Sequence, residues 1–449
     1  MKGESMLERF FKLREHNTTP GTEVAAGLAT FLTAAYILVV NPSIQADAGM
    51  PRDALFTATA VAILVGTLLM GLFANMPFIL APGMGLNAYF AYTVVLGQKF
   101  TWQEAITAVF LAGILFFVTG ALGLRKILLD GFPEPLKHAM TVSLGLMIAS
   151  IGLKNAGVVE FHEGIILLGN VTKGGPLLAM IGIVITGIFL CLKMRTAVLL
   201  GIVATTLVGM FMTAKGVPIT DYQSVIEKGA VSLPPSLSPI AFAFDFNLER
   251  ILSTEFLITI FVFFALDIFD SLGTFIGVFN HFSGEEKKKY EAVIPRALMC
   301  DAAATVVGAC IGTSTVTTYV ESSTGIQAGG RTGLTALTIA GLVFIALFAS
   351  PLFLMVPAAA TAPALVVVGM YMMAMALKLE WGDIAEALPA VLMILITTLT
   401  WSISNGLMFG WIGYTLFKLV TGRARELNAT VYVVFAFFVV RLATMYTAS

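Results

Sequence analysis

The chain alternates long apolar runs with short charged segments. No charged residue occurs from Ala54 to Gln98, or from Thr332 to Leu377. A helix needs about 20 residues to cross a bilayer, so each run holds two crossings. Further apolar stretches predict spans at about 22–44, 103–123, 138–154, 175–192, 197–213, 261–280 and 294–311, with a short segment around Glu321. Residues 387–417 carry no charge and are broken at Trp401–Gly406, which predicts two short spans. The pattern describes an all-α polytopic membrane protein of about 14 transmembrane segments. A last apolar stretch, 430–447, contains Arg441 and fits a fifteenth span or an interfacial helix.

Composition agrees, with 58% hydrophobic residues and only 12% charged. A net charge of −1 without a basic patch gives no reason to expect nucleic acid as a partner. Cys191, Cys300 and Cys310 lie in apolar segments without metal-ligand spacing, so no metal or cofactor is expected. The first apolar stretch is too long for a signal peptide and reads as an uncleaved span. Basic clusters at 125–137, 193–195, 287–296 and 418–425 fall on one side of the predicted spans, together with Lys2, Arg9, Lys12 and Arg14 of the tail. The positive-inside rule makes that side, and the N-terminus, cytoplasmic.

The two halves echo each other. Val142, Gly145, Leu153 and Lys154 reappear in register as Val366, Gly369, Leu377 and Lys378, and Thr22-Glu23 as Thr254-Glu255. A duplicated unit with an odd number of spans enters the membrane inverted, an arrangement common in transporters. The expected organisation is a tail (1–21), a seven-span repeat (22–213), an extracytoplasmic connection (214–253), a second seven-span repeat (254–421) and a C-terminal apolar helix (422–449).

Within the span at 261–280, Asp267 and Asp270 lie three residues apart, on one helix face. A carboxylate at bilayer depth costs at least about 2.5 kcal/mol and usually faces a polar cavity; the bland alternative is a pair serving interhelical structure. Two predicted breaks point to the same depth. In Ala81–Phe90, Pro82 suits a first helical turn and Gly83 and Gly85 allow close backbone approach, leading to Asn87. In Ile311–Gly325, the β-branched run Thr313–Val320 favours extended backbone before a helix near Glu321. Two short half-helices, each preceded by an extended stretch, therefore face a midplane site, since irregular backbone at that depth must be buried or line a cavity.

Each of these residues also has a structural reading. Thr318 and Glu321 fit a capping box, Asn87 an interhelical hydrogen bond, Asp301 a salt bridge or snorkelling contact, and Asn41 and Asn405 capping or packing. Carboxyls and an amide beside backbone N–H groups suit a flat, largely neutral ring compound. A buried carboxyl whose charge is costly can take a proton on one side and release it on the other, so proton symport is the natural mechanism.

The opening FFKLREHNTTPGTEVAAGLATFLTAAYILVVNP, APGMGLNAYFAY, DIFDSLGTFIGV and GTSTVTTYVESSTGIQAGGRTGLTAL together resemble the AzgA-like purine permeases of the nucleobase–ascorbate transporter superfamily. The resemblance spans essentially the whole chain. It implies a seven-plus-seven inverted repeat with core and gate domains, a homodimer in the inner membrane, and import of hypoxanthine, guanine or adenine with protons. It places the critical polar positions at Asn87, Asp267, Asp270 and Glu321. On this reading Glu321 and Asp267 hydrogen-bond the purine and Asn87 orients it. Asp270 tunes or relays the proton, with Asp267 and Glu321 sharing in coupling, and backbone around Gly85, Thr317 and Thr318 adds contacts. The alternatives are a membrane-embedded enzyme using Asp267 and Asp270 as acid and base, and a passive nucleobase channel. Against the enzyme, the two acids share one helix face and no HExxH motif occurs.

Overall fold

A computed structural model describes residues 6–122, 132–162, 165–222, 225–226, 229–279 and 284–447. Lys2, Arg125 and Lys126 of the predicted basic clusters lie outside the described residues. Among those described, nine helices are long and apolar enough to cross a membrane, joined by shorter apolar ones.

The first crossing is two helices, α1 (Pro20–Ala34) and α2 (Ile37–Ala46). Thr19 caps α1 by accepting from the Thr22 N–H, and Pro20 occupies the first turn. Asn41-Pro42, a pair that disfavours helix, does not end the span; the chain breaks at Ala35–Tyr36 and α2 runs through the proline. Fully buried Asn41 donates instead to Thr59 and Thr313, so tertiary bonds outweigh the local signal. α3 (Arg52–Leu69) follows, then strand β1 (Leu80–Pro82) and the half-helix α4 (Met84–Ala88), continued in wider π-type turns over Tyr89–Gly97. α5 (Trp102–Ala121) opens with a capping box between Thr101 and Glu104. α6 (Glu134–Asn155), a hairpin of β2 (Val159–His162) and β3 (Ile165–Leu168), α7 (Gly174–Cys191) and α8 (Ala197–Ala214) complete the first half. The hairpin lies between the predicted spans at 138–154 and 175–192 and lacks a strong alternating pattern.

The second half repeats the order. α9 (Thr254–Phe279) and α10 (Gly284–Ile311) precede strand β4 (Val316–Thr318) and the half-helix α11 (Ser322–Gln327). α12 (Gly333–Leu347), α13 (Ala358–Met373), α14 (Ile384–Thr400) and α15 (Ile403–Val420) follow. The predicted break between the last two falls at Trp401, whose φ of +50° is left-handed, with Ser402 capping α15.

Packing divides these elements into two interleaved bodies of a seven-plus-seven inverted repeat. α1–α5 pack with α9–α12, and α6–α8 pack with α13–α15. Gly145 of α6 and Gly369 of α13, equivalent in the two sequence copies, meet each other. A Cβ on Gly145 would stand 2.7 Å from the Gly369 carbonyl oxygen. Contact between matched positions is what an axis relating two copies produces.

α16 (Ala429–Thr447) packs along α15. Trp411 donates its indole N–H to the Val431 carbonyl near the start of α16. Arg441, two-thirds along it, is only 4% exposed and lies electrostatically close to Tyr89 and Glu255. An interfacial helix would leave that arginine in water, so α16 is a helix of the bundle.

Candidate functional site

The two extended stretches cross in the interior of the first body. β1 and β4 pair antiparallel, Leu80 opposite Thr318, Ala81 opposite Thr317 and Pro82 opposite Val316. The Gly83 N–H donates to the Thr315 carbonyl at 3.0 Å, and the Tyr319 N–H to the Ile79 carbonyl at 3.1 Å. Backbone groups far from water thereby find partners, as they must at this depth. Gly83 is required by the crossing: a Cβ there would lie 2.7 Å from Thr317 Cγ2 and 3.6 Å from Asp270 Oδ2.

Asp270 and Glu321 stand where exposed residues open the first body to its surroundings. Asp270 is exposed and Glu321 half-buried, and the two interact electrostatically. Glu321 stands just before α11 but makes no capping bond, because Oε1 accepts from the Tyr36 hydroxyl at 2.7 Å. The predicted capping box is absent, with Thr318 bonding Asp301 instead. Val320 and Tyr371, 58% and 57% exposed, lie near the same opening. Tyr36 and Tyr319 both interact electrostatically with Glu321, and Tyr36 also with Tyr371. Gly85 faces Leu144 and Met372 of the second body, so the site adjoins the boundary between the bodies.

Asp267 is a layer deeper, 1% exposed. Its Oδ2 accepts from Thr305 at 2.8 Å and its Oδ1 has no hydrogen-bond partner among the described residues. Asn87 is fully buried and engaged within the protein: Nδ2 donates to the Pro82 carbonyl at 3.3 Å, and Oδ1 accepts from the Ser314 hydroxyl. It ties α4 to the strand crossing. The Thr317 and Thr318 side chains also point into the network beneath the opening and not into the opening. Asp301, expected to snorkel or pair near a helix end, is fully buried and accepts from Ser271 and Thr318.

The six site positions taken from sequence and Asp270 thus converge, but in two layers: Glu321, Asp270 and Gly85 at the opening, and Asp267, Asn87, Thr317 and Thr318 behind it. Sequence reading passed over Tyr36, Ser271 and Thr305. Ser271 follows Asp270 and lies four residues from Asp267, and Thr305 lies four from Asp301, so a helical-face reading reaches both. Tyr36 carries no such signal; it is buried at a helix break that tertiary contacts set.

The second body also bonds the first away from the strand crossing. Asn155 of α6 donates to Asp47 at 2.6 Å and to the Tyr92 hydroxyl at 2.9 Å, and Tyr92 donates to the same Asp47 at 2.5 Å. Nearby, Thr93 donates to the Trp401 carbonyl and Gln98 to Ser404. The exposed Asp270 and Tyr371 lie in the opposite half of their helices, toward the face bearing the N-terminal tail.

Two interleaved inverted repeats with a polar crossing between half-helices define a multi-pass transporter. The chain belongs to the permease family, whose model (Xan_ur_permease) matches residues 21–409. It is 39% identical to the adenine permease AdeP of Escherichia coli K12, over 98% of this chain and 96% of that one. It is 40% identical to the guanine/hypoxanthine permease PbuO of Bacillus subtilis, over 96% and 99% of the respective chains. The fold matches the transmembrane domain of a cyanobacterial bicarbonate transporter, BicA. The TM-score is 0.62 at 17% identity, over 87% of this chain and 96% of that one. Members of this family are transporters, not enzymes.

Proposed function

We propose that this protein imports purine nucleobases together with protons by alternating access. The observation that carries the reading is the pair Asp270 and Glu321 at an opening between two bodies, with Tyr36 fixing one Glu321 oxygen. A purine offers ring N–H donors that two acceptor carboxyls bind side by side. Tyr36, Tyr319 and Tyr371 supply aromatic surface around them. The adenine and guanine/hypoxanthine permeases among the relatives support this substrate class.

Glu321 and Asp270 take the substrate on this reading. Asp267 lies behind them for the proton, and Asn87 positions α4 without touching the ring. Among the described residues, Asp267, Asp270 and Glu321 pair with hydroxyls and not with Lys, Arg or His, so neutralisation falls to protons. On this reading the site is reached from the tail face, taken as cytoplasmic, and Asp47, Tyr92 and Asn155 hold the bodies together at the other. Rocking the second body against the first reverses this.

The test is uptake of labelled hypoxanthine and adenine by cells with and without a protonophore. Accumulation that collapses with the gradient, and is absent in Glu321→Ala at equal membrane abundance, is the expected result. Accumulation that survives the protonophore overturns proton coupling, and normal uptake by Glu321→Ala overturns the site.

A further inference from the structure

Beneath the opening, a line of polar side chains leads from the exposed carboxyl to a fully buried one. Asp270 interacts with the Thr317 hydroxyl. Thr317 Oγ1 lies 2.7 Å from Ser271 Oγ, and Ser271 bonds Asp301. Asp301 is 0% exposed and also accepts from Thr318 at 3.3 Å. The Thr318 N–H points to Ser271 Oγ at 3.4 Å, so this hydroxyl keeps its own proton for the chain.

Counting protons gives the chain a purpose. Three links join Asp270, Thr317, Ser271 and Asp301, and each link needs one hydrogen. The two hydroxyls carry one hydrogen apiece. With both carboxyls ionised, one link therefore sets oxygen against oxygen. One extra proton completes all three. It completes them in two ways: held on Asp270 with every donor pointing toward Asp301, or held on Asp301 with every donor reversed.

We infer that Asp270, Thr317, Ser271 and Asp301 form a one-proton relay in which Asp301 is the inner acceptor. In the inward hop, Asp270 gives its proton to Thr317, Thr317 passes its own to Ser271, and Ser271 passes its own to Asp301. No proton is gained or lost and no water is needed. The return hop reverses each bond. Besides Cys300 of its own helix and the Thr318 hydroxyl of β4, Asp301 is faced by the titratable side chain of Asp267. Its proximity makes double ionisation costly and favours a proton in the buried layer. Asp301 then stores the coupled proton while Asp270 is free to bind substrate. This inference rests on the proton-symport reading above.

The experiment compares wild type, Asp301→Asn, Ser271→Ala and Ser271→Thr in proteoliposomes, by two assays. One is uphill accumulation of labelled purine driven by an imposed pH gradient. The other is counterflow, in which labelled purine exchanges against unlabelled purine with no gradient. Ser271→Thr keeps the hydroxyl and is expected to retain accumulation within about threefold. Asp301→Asn and Ser271→Ala are expected to lose accumulation at least tenfold, keep counterflow within about threefold, and lose the dependence of transport on pH. Accumulation at the wild-type level in Asp301→Asn overturns the relay while leaving symport intact. Loss of counterflow together with accumulation, in protein of wild-type Tm, overturns it in favour of a packing role. Gradient-independent accumulation by wild type itself strikes the symport reading, and the relay with it.

Discussion

At the scale of single residues, the proposed site rests on Glu321 and its partner Tyr36. A hydrogen bond to a charged group contributes about 1.5–3 kcal/mol. Glu321→Gln, which keeps shape but replaces an acceptor with a donor, is expected to weaken purine binding by about ten- to a hundredfold. Tyr36→Phe frees the Glu321 oxygen from its 2.7 Å partner and is expected to cost less, about fivefold, from lost orientation. Titration calorimetry on purified variants checks both, and equal affinity in Glu321→Gln and wild type would remove Glu321 from the site. The acids were legible in the sequence because a carboxylate in an apolar helix is conspicuous. Their division of labour was not. Asp267 and Asp270 share a face by spacing, yet one is 1% exposed and the other open, with Thr305 of the next helix, α10, bonding the first. Asn87 shows the same limit: its chemistry suits a ligand, and Ser314 and Pro82 occupy it instead.

Secondary-structure elements were more readily anticipated. The two charge-free runs, the break at Trp401 and both half-helices follow from apolar length and from Pro, Gly and β-branched punctuation. The break at Ala35–Tyr36 and the run through Pro42 did not, since they depend on what Asn41 bonds across the bundle. The close approach of α6 and α13 at Gly145 and Gly369 makes a direct prediction. Gly369→Leu places a side chain against the Gly145 carbonyl and the Ala149 side chain, forcing the helices apart. Uptake is expected to fall at least tenfold with the protein still in the membrane, and transport assays beside immunoblots check this. A second prediction concerns the start of α14 and the end of α15. Buried Lys418 bonds Glu386 and Glu426, each at 2.6 Å, and Arg423 bonds Asp383 and Glu426. Arg423 holds the Asp383 carboxyl below its ordinary range, and Arg423 with Lys418 does the same for Glu426. A carboxyl depressed in the folded state stabilises it above the unfolded value, and that contribution is lost as pH falls through the folded value. Tm in detergent is thus expected to be level from pH 7 to about 5 and to drop below about pH 4. Arg423→Met should lower Tm at pH 7 and approach wild type at pH 3; an equal deficit at both would show the ion pairs contribute little.

For the whole molecule, the alternating-access proposal makes transport a matter of relative motion between the two interleaved bodies. Repeat number and inversion were visible in matched residues such as Gly145 and Gly369, whereas the closure between bodies was not. Asp47, Tyr92 and Asn155 come from separate regions of sequence and meet only in three dimensions. If this closure must open in each cycle, joining it halts transport. Asp47→Cys with Asn155→Cys, in a chain whose three native cysteines are serine, is expected to lose uptake on treatment with a short bifunctional thiol reagent. Each single variant should be unaffected by the reagent, and undiminished uptake by the cross-linked pair would mean that this contact does not gate.

The central claim is that buried carboxyls at the strand crossing couple a purine to a proton, and one recording tests it most directly. Proteoliposomes holding a pH-sensitive dye, with no initial gradient, receive hypoxanthine or adenine on the side that loads the carrier. Acidification of the interior in step with purine entry, abolished in Glu321→Ala, is the predicted trace. Purine entry with the interior pH unchanged contradicts the account.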